Sequence, residues 1–160
     1  MPRGKLHLAI PAASEQAFEA FFNHKVRLRW DTLLSINYVE GGGSHPYVGA
    51  VTVNRGRGWR GGYTLRTRFL TYDAPRRAGA EMVEPSGPFQ LWAASLVLRD
   101  TPEGCDLTYT YSIRMRPRLL AWLIEPVANF LFARETRRRF LAMAEYLREH
   151  QGVVPAAARA

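Results

Sequence analysis

Polar and apolar residues alternate in short runs through most of the chain, and near Pro117 the alternation gives way to apolar residues spaced three and four apart. Residues 5–10 set Leu6, Leu8 and Ile10 on one side and Lys5, His7 and Ala9 on the other, the period of a half-buried strand that Pro11 stops. A short helix is expected next, with Ser14 as its N-cap, Glu15 in its first turn and Ala17, Phe18, Phe21 and Phe22 as its packing face. A second short helix over 25–34 holds Trp30 and Asp31.

Strands are then expected at 36–40, 47–54, 63–72, 78–84, 89–99 and 107–116, separated by turn-forming stretches at 41–43, 73–75, 85–88 and 101–104. In the 63–72 strand Leu65, Thr67, Phe69 and Thr71 face one way and Arg66, Arg68 and Leu70 the other. The last strand alternates most regularly, with Leu107, Tyr109, Tyr111, Ile113 and Met115 on one face. Turns this short make neighbouring strands antiparallel.

Residues 118–150 contain no glycine and follow a helical period. A helix of that length is roughly 50 Å long. On a wheel, Leu119, Leu120, Leu123, Ile124, Val127, Phe130 and Leu131 form one broad face, and Phe140, Leu141, Ala144 and Leu147 form a stripe rotated from it. Pro126 lies between them, and a kink or a junction of two helices is expected near 123–126. The order is one strand, two short helices, six strands in a meander and one long helix. With no βαβ repeat, this is an α+β chain built on one curved antiparallel sheet of about seven strands. Only the long helix can cover the sheet's apolar face. A bent sheet gripping a helix leaves space between them wherever the facing side chains are small, and a small apolar ligand would bind there.

Composition changes this picture little. The chain has 160 residues, enough for one domain with its own core, and one cysteine, Cys105, which excludes an internal disulfide framework and a CxxC metal pair. His7, His24, His45 and His150 are scattered without HExxH spacing, so no metal or other cofactor is expected. No run reaches membrane-spanning length and residues 1–5 lack a signal-peptide core, so a soluble cytoplasmic protein is expected. Residues 1–150 read as the domain and 151–160 as a disordered tail.

The formal charge is +8, and apart from Lys5 and Lys25 every basic residue counted in it is arginine. Such a bias follows from genome composition or from an anionic partner. The arginines, glycines and Trp59 of 55–62 resemble a phosphate-gripping, base-stacking surface, but no recognition module surrounds them, and a hairpin loop at the cavity rim is the preferred reading over nucleic-acid binding. An anionic membrane surface fits charge and cavity together. In the long helix Arg134 and Arg137 turn toward the apolar stripe, and Arg139 is placed to pair with Glu135. An inward Arg134 would anchor a carboxylate or phosphate.

The element order, the Ile10-Pro11-Ala12-Ala13 entry into a helix with Ala17 and Phe18, Trp30-Asp31 after it, Tyr72-Asp73-Ala74-Pro75-Arg76-Arg77 between strands and the arginine-dotted last helix resemble the START-like superfamily. Within it the chain is similar to the polyketide cyclase and dehydrase group, also called SRPBCC, over about residues 5–150. The resemblance implies a helix-grip fold with a cavity for hydrophobic or aromatic small molecules, and relatives include lipid carriers, receptors and aromatase-cyclases. It also implies a structural role for Trp30, which packs, and for Asp31, which caps or pairs. Residues expected around the cavity are Trp30, Leu65, Phe69, Trp92, Tyr109, Tyr111, Ile113, Leu123, Val127, Phe130 and Arg134. Binding of a small hydrophobic molecule is the leading reading, and a cyclase or dehydratase using Tyr109 and Tyr111 as donors to carbonyls is the alternative.

Overall fold

The computed structural model describes residues 3–57 and 63–150. The expected rim loop around Trp59 and the expected disordered tail over 151–160 therefore fall largely or wholly outside the described residues. Seven strands and three α-helices follow in the order β1 (Arg3–Ile10), α1 (Ser14–Phe22), α2 (His24–Trp30), β2 (Leu34–Val39), β3 (Val51–Gly56), β4 (Thr64–Asp73), β5 (Arg77–Met82), β6 (Phe89–Thr101), β7 (Gly104–Met115) and α3 (Ala121–Glu149). The strands form one antiparallel sheet in the order β1-β7-β6-β5-β4-β3-β2. The meander runs from one edge inward, and β1 closes the far side by pairing with β7, where Leu8 lies opposite Leu107.

Alternation in β7 holds along its whole length. Cys105, Leu107, Tyr109, Tyr111, Ile113 and Met115 are buried on one face. In β4 the period breaks. The register slips between Phe69 and Thr71 in the pairing with β5, so Thr71, expected inward, is exposed and Tyr72 turns in its place against Phe18, Phe22 and Phe69. One extra residue in a strand is enough to exchange its faces.

The first helix uses the aromatic face read from its sequence. Phe22 packs edge-on to Phe69, and Phe21 stacks on Phe140 of α3 at 5.4 Å. Its cap differs from expectation. Ser14 is the first helical residue, and its backbone N–H donates to Asp100 Oδ1 at 2.9 Å, so a carboxylate from the end of β6 caps the helix and offsets its dipole. That contact holds the Asp100 carboxyl below its ordinary pKa. Asn23 caps α2 by accepting the N–H groups of Lys25 and Val26.

After a 3₁₀ turn over Arg118–Leu120, α3 runs unbroken through Pro126 to Glu149, at roughly 1.5 Å per residue about 44 Å. Of the two expectations near 123–126, the junction of two helices is absent, because only one turn of helix precedes Pro126 and its missing N–H costs few bonds there. The second half is the grip. Thr136, Phe140, Met143, Ala144 and Leu147 are buried against α1 and the sheet. The first half lies differently: Ala128 and Phe132 pack inward, while Leu123, Val127 and Phe130 face solvent.

Candidate functional site

The residues that would fill the space between sheet and helix are small. Ala78 and Ala80 of β5 and Ala94 of β6 form the floor, and a cavity of about 410 Å³ opens above them. Small-molecule sites span roughly 300–1,000 Å³. Leu65, Phe69, Trp92, Leu96 and Met115 supply its apolar walls from the strands, Phe21 and Phe22 from α1, and Ala128, Leu131 and Phe132 from α3. On β3 the hydroxyls of Thr52 and, across the ladder, Thr67 of β4 bond each other at 2.8 Å, with the Asn54 amide donating to Thr52. That polar strip is internally satisfied.

The charged groups gather where α2 meets α3. Arg27 Nε donates to Asp31 Oδ2 at 3.1 Å, and Arg139 Nε lies 3.3 Å from the same oxygen as an ion pair without hydrogen-bond alignment. Asp31 Oδ1 accepts the Leu33 N–H. The carboxylate is only 1% exposed. Burial by itself would raise its pKa, but Arg139 and Arg27 outweigh burial and hold the carboxyl below its ordinary value. Burial lowers the pKa of Arg27, with Asp31 opposing the change, and the guanidinium is stacked 4.1 Å over the Phe21 ring. Two guanidinium groups share one carboxylate, which leaves one positive charge over. Glu135 also lines the cavity, but it lies nearer the surface and pairs with exposed Arg138.

Three neutral polar groups join this end or the adjoining wall. Tyr109 sits within electrostatic reach of Arg139, Arg27 and Asp31, and burial raises its pKa, so it stays a neutral phenol. His24 is pushed down to about 4 by burial and by the charge of Arg27. Its Nδ1–H donates to Asn37 Oδ1, and its Nε2 is buried with no hydrogen-bond partner in the protein. The indole N–H of Trp92 is likewise buried and without a protein partner. Among the described residues no group of three His, Cys, Asp or Glu side chains is placed to hold a metal ion.

Of the residues expected around the cavity, the structure brings together Leu65, Phe69, Trp92 and Tyr109. Trp30 lies below it, buried against Phe21 with its indole N–H donating to the Ala20 carbonyl at 2.9 Å. Tyr111 is covered by the Phe132 ring at 4.6 Å, and Ile113 is fully enclosed in the core. Leu123, Val127, Phe130 and Arg134 point away, because the face of α3 that meets the sheet is set by Phe140, Met143 and Leu147 and carries back through Thr136 and Phe132. That same rotation turns Arg139 inward to Asp31 and leaves Glu135 to Arg138, which corrects both the expected Arg139–Glu135 pair and the choice of Arg134 as the inward arginine. His24 and Arg27 were not anticipated. Their signal was present, since His24, Arg27 and Asp31 fall at i, i+3 and i+7 on one side of α2.

Solved structures share this architecture. Protein NE0264 from Nitrosomonas europaea superposes with a TM-score of 0.73 at 13% identity, covering 94% of this chain and 96% of that one. TTHA0849 from Thermus thermophilus gives 0.74 at 12% identity, covering 90% and 95%, and Ara h 8.0201 gives 0.71 at 10%, covering 92% and 98%. Identities this low show the shared helix-grip fold alone. Among curated proteins none matches the sequence. Residues 3–148 match the family described as polyketide cyclase / dehydrase and lipid transport, and a match over that span makes the chain a member of it.

Proposed function

We propose that the protein binds one small, largely apolar or aromatic molecule carrying an acidic group, and carries it without altering it. Support for the apolar body comes from the alanine floor and the aromatic and aliphatic walls of the cavity. The observation that carries the acidic group is the leftover positive charge of Arg27 and Arg139 over Asp31 at a cavity wall. A largely enclosed guanidinium that shares its counter-ion is costly, and a carboxylate from the ligand supplies further negative charge and an acceptor beside Arg139, whose Nε has no hydrogen-bond partner in the protein. The neutral Tyr109 hydroxyl and Trp92 N–H are further donors along the walls. A second reading, cyclase-like catalysis, is favoured by one observation, the neutral His24 whose Nε2 has no protein partner.

Native mass spectrometry of freshly purified protein, followed by denaturing extraction, tests for a bound small molecule. Binding of 2-naphthoic acid and of its methyl ester, read by fluorescence, then separates body from head group. The acid should bind about tenfold more tightly than the ester, Arg139→Gln should erase that preference, and Ala94→Leu should abolish binding of both. Equal binding of acid and ester would overturn the acidic head group, and no binding of either together with an empty extract would overturn the cavity itself. A changed mass of extracted ligand after incubation would instead establish the catalytic reading.

A further inference from the structure

The first half of α3 wears its apolar stripe on the outside. Leu119, Trp122, Leu123, Val127 and Phe130 recur at helical spacing, and their exposure reaches 88% at Leu119, 76% at Trp122 and 66% at Phe130. Side chains of this size favour removal from water, and a contiguous set of them marks a docking surface. We propose that this face of α3 docks onto an anionic lipid bilayer, lying in the interface with Trp122 and Phe130 among the acyl chains.

Charge selects this occupant. From Arg118 through Arg137 the carboxylates are Glu125, turned inward and accepting the Met115 N–H at 3.1 Å, and Glu135, which lines the cavity and pairs with Arg138. Exposed Arg118, Arg134 and Arg137 border the stripe at its two ends, on a chain of formal charge +8. A second copy meeting this face across a two-fold axis would set these arginines against arginines of the other copy. An anionic headgroup layer meets them with the opposite sign. Arginines beside Trp, Phe and Leu on one helix are also the composition of an interfacial helix, and no helix among the described residues is long and apolar enough to cross the bilayer. The stripe and the cavity share a wall: Leu131 is half exposed beside Phe130 and also lines the cavity, as do Ala128 and Phe132 around it. A molecule dissolved in the leaflet that the stripe contacts would meet the cavity through the docked segment.

Flotation of the full chain with vesicles of phosphatidylcholine, or of phosphatidylcholine containing a quarter phosphatidylglycerol, tests the proposal. The chain should float with the anionic vesicles and less so as salt is added. Trp122→Ser with Phe130→Ser should lower the partition about tenfold or more while naphthoic acid binding is retained. Arg134→Gln with Arg137→Gln, which leaves the apolar stripe intact, should weaken binding to anionic vesicles about tenfold and leave neutral vesicles unaffected. Failure to float, equal flotation of the serine variant, or a wild-type dimer in sedimentation that this variant converts to monomer would each overturn it, the last by showing the face to be an interface between copies.

Discussion

Arg139 reaches from the long helix to Asp31 at the end of α2, its Nε 3.3 Å from Oδ2, and joins two elements that the sequence separates by more than a hundred residues. Because Arg27 holds the same oxygen, Asp31 is one anion shared by two cations. Asp31→Ala should therefore destabilise the fold by about 3–5 kcal/mol, the cost of leaving buried charge uncompensated. Urea unfolding measures it, and Arg139→Leu added to Asp31→Ala should recover part of the loss, since one fewer cation is then stranded. A double variant no better than the single would show that the two residues do not share this energy.

Acid should weaken the fold in two separable steps. The imidazole of His24 has its pKa lowered in the folded chain from 6.5 to about 4, so the folded site refuses a proton that the unfolded chain accepts. The contribution of neutral His24 is complete above pH 6.5 and is lost as pH falls from there toward 4. The folded pKa of Asp31 is also depressed, so its contribution is complete above its ordinary value of 3.8 and is lost only below that. Urea midpoints from neutral pH to pH 4.5 should fall for the wild type and fall less steeply for His24→Gln. Parallel curves for the two proteins would contradict the burial of a neutral His24.

Gly4 on β1 faces Tyr111 on β7, and the tyrosine ring folds over it so closely that an added Cβ would stand 2.1 Å from Tyr111 Cζ. Gly4→Val should cost about 1–3 kcal/mol or more through overpacking. Thermal unfolding of Gly4→Val in a Tyr111→Ala background should show a smaller increment from the valine than in the wild type, because the ring that it strikes has been removed.

How far the molecule could be read in advance depended on whether a feature was local. The inward face of β7 followed from period two, and Leu65, Phe69, Trp92 and Tyr109 were found because a strand offers only two faces. The helical candidates failed for the opposite reason. Which side of α3 meets the sheet is decided by the second half of the helix, while Trp122, Phe130 and Leu123 of the first half sit outside. A wheel drawn on the assumption that apolar means inward rotates the helix, and with it exchanges Arg134 for Arg139. The bulge after Phe69 was invisible in the sequence because nothing in Leu70 or Thr71 announces an added residue. The charged cluster drew on α2, the residue after it and α3, with Tyr109 of β7 within electrostatic reach, and only His24, Arg27 and Asp31 were close enough in sequence to show a common face.

The pairing of β1 with β7 also sets an order of events during synthesis. β1 is made before the strand it pairs with and lies opposite residues such as Leu107 and Tyr109, about a hundred positions downstream, so it waits without that partner while the meander is made. Its polar Lys5 and His7, alternating with Leu6 and Leu8, guard it as a free edge during that interval. Docking of β1 thus falls late, close to the moment when α3 is made to cover the sheet, and the cavity is enclosed only once α3, which follows every strand, is in place.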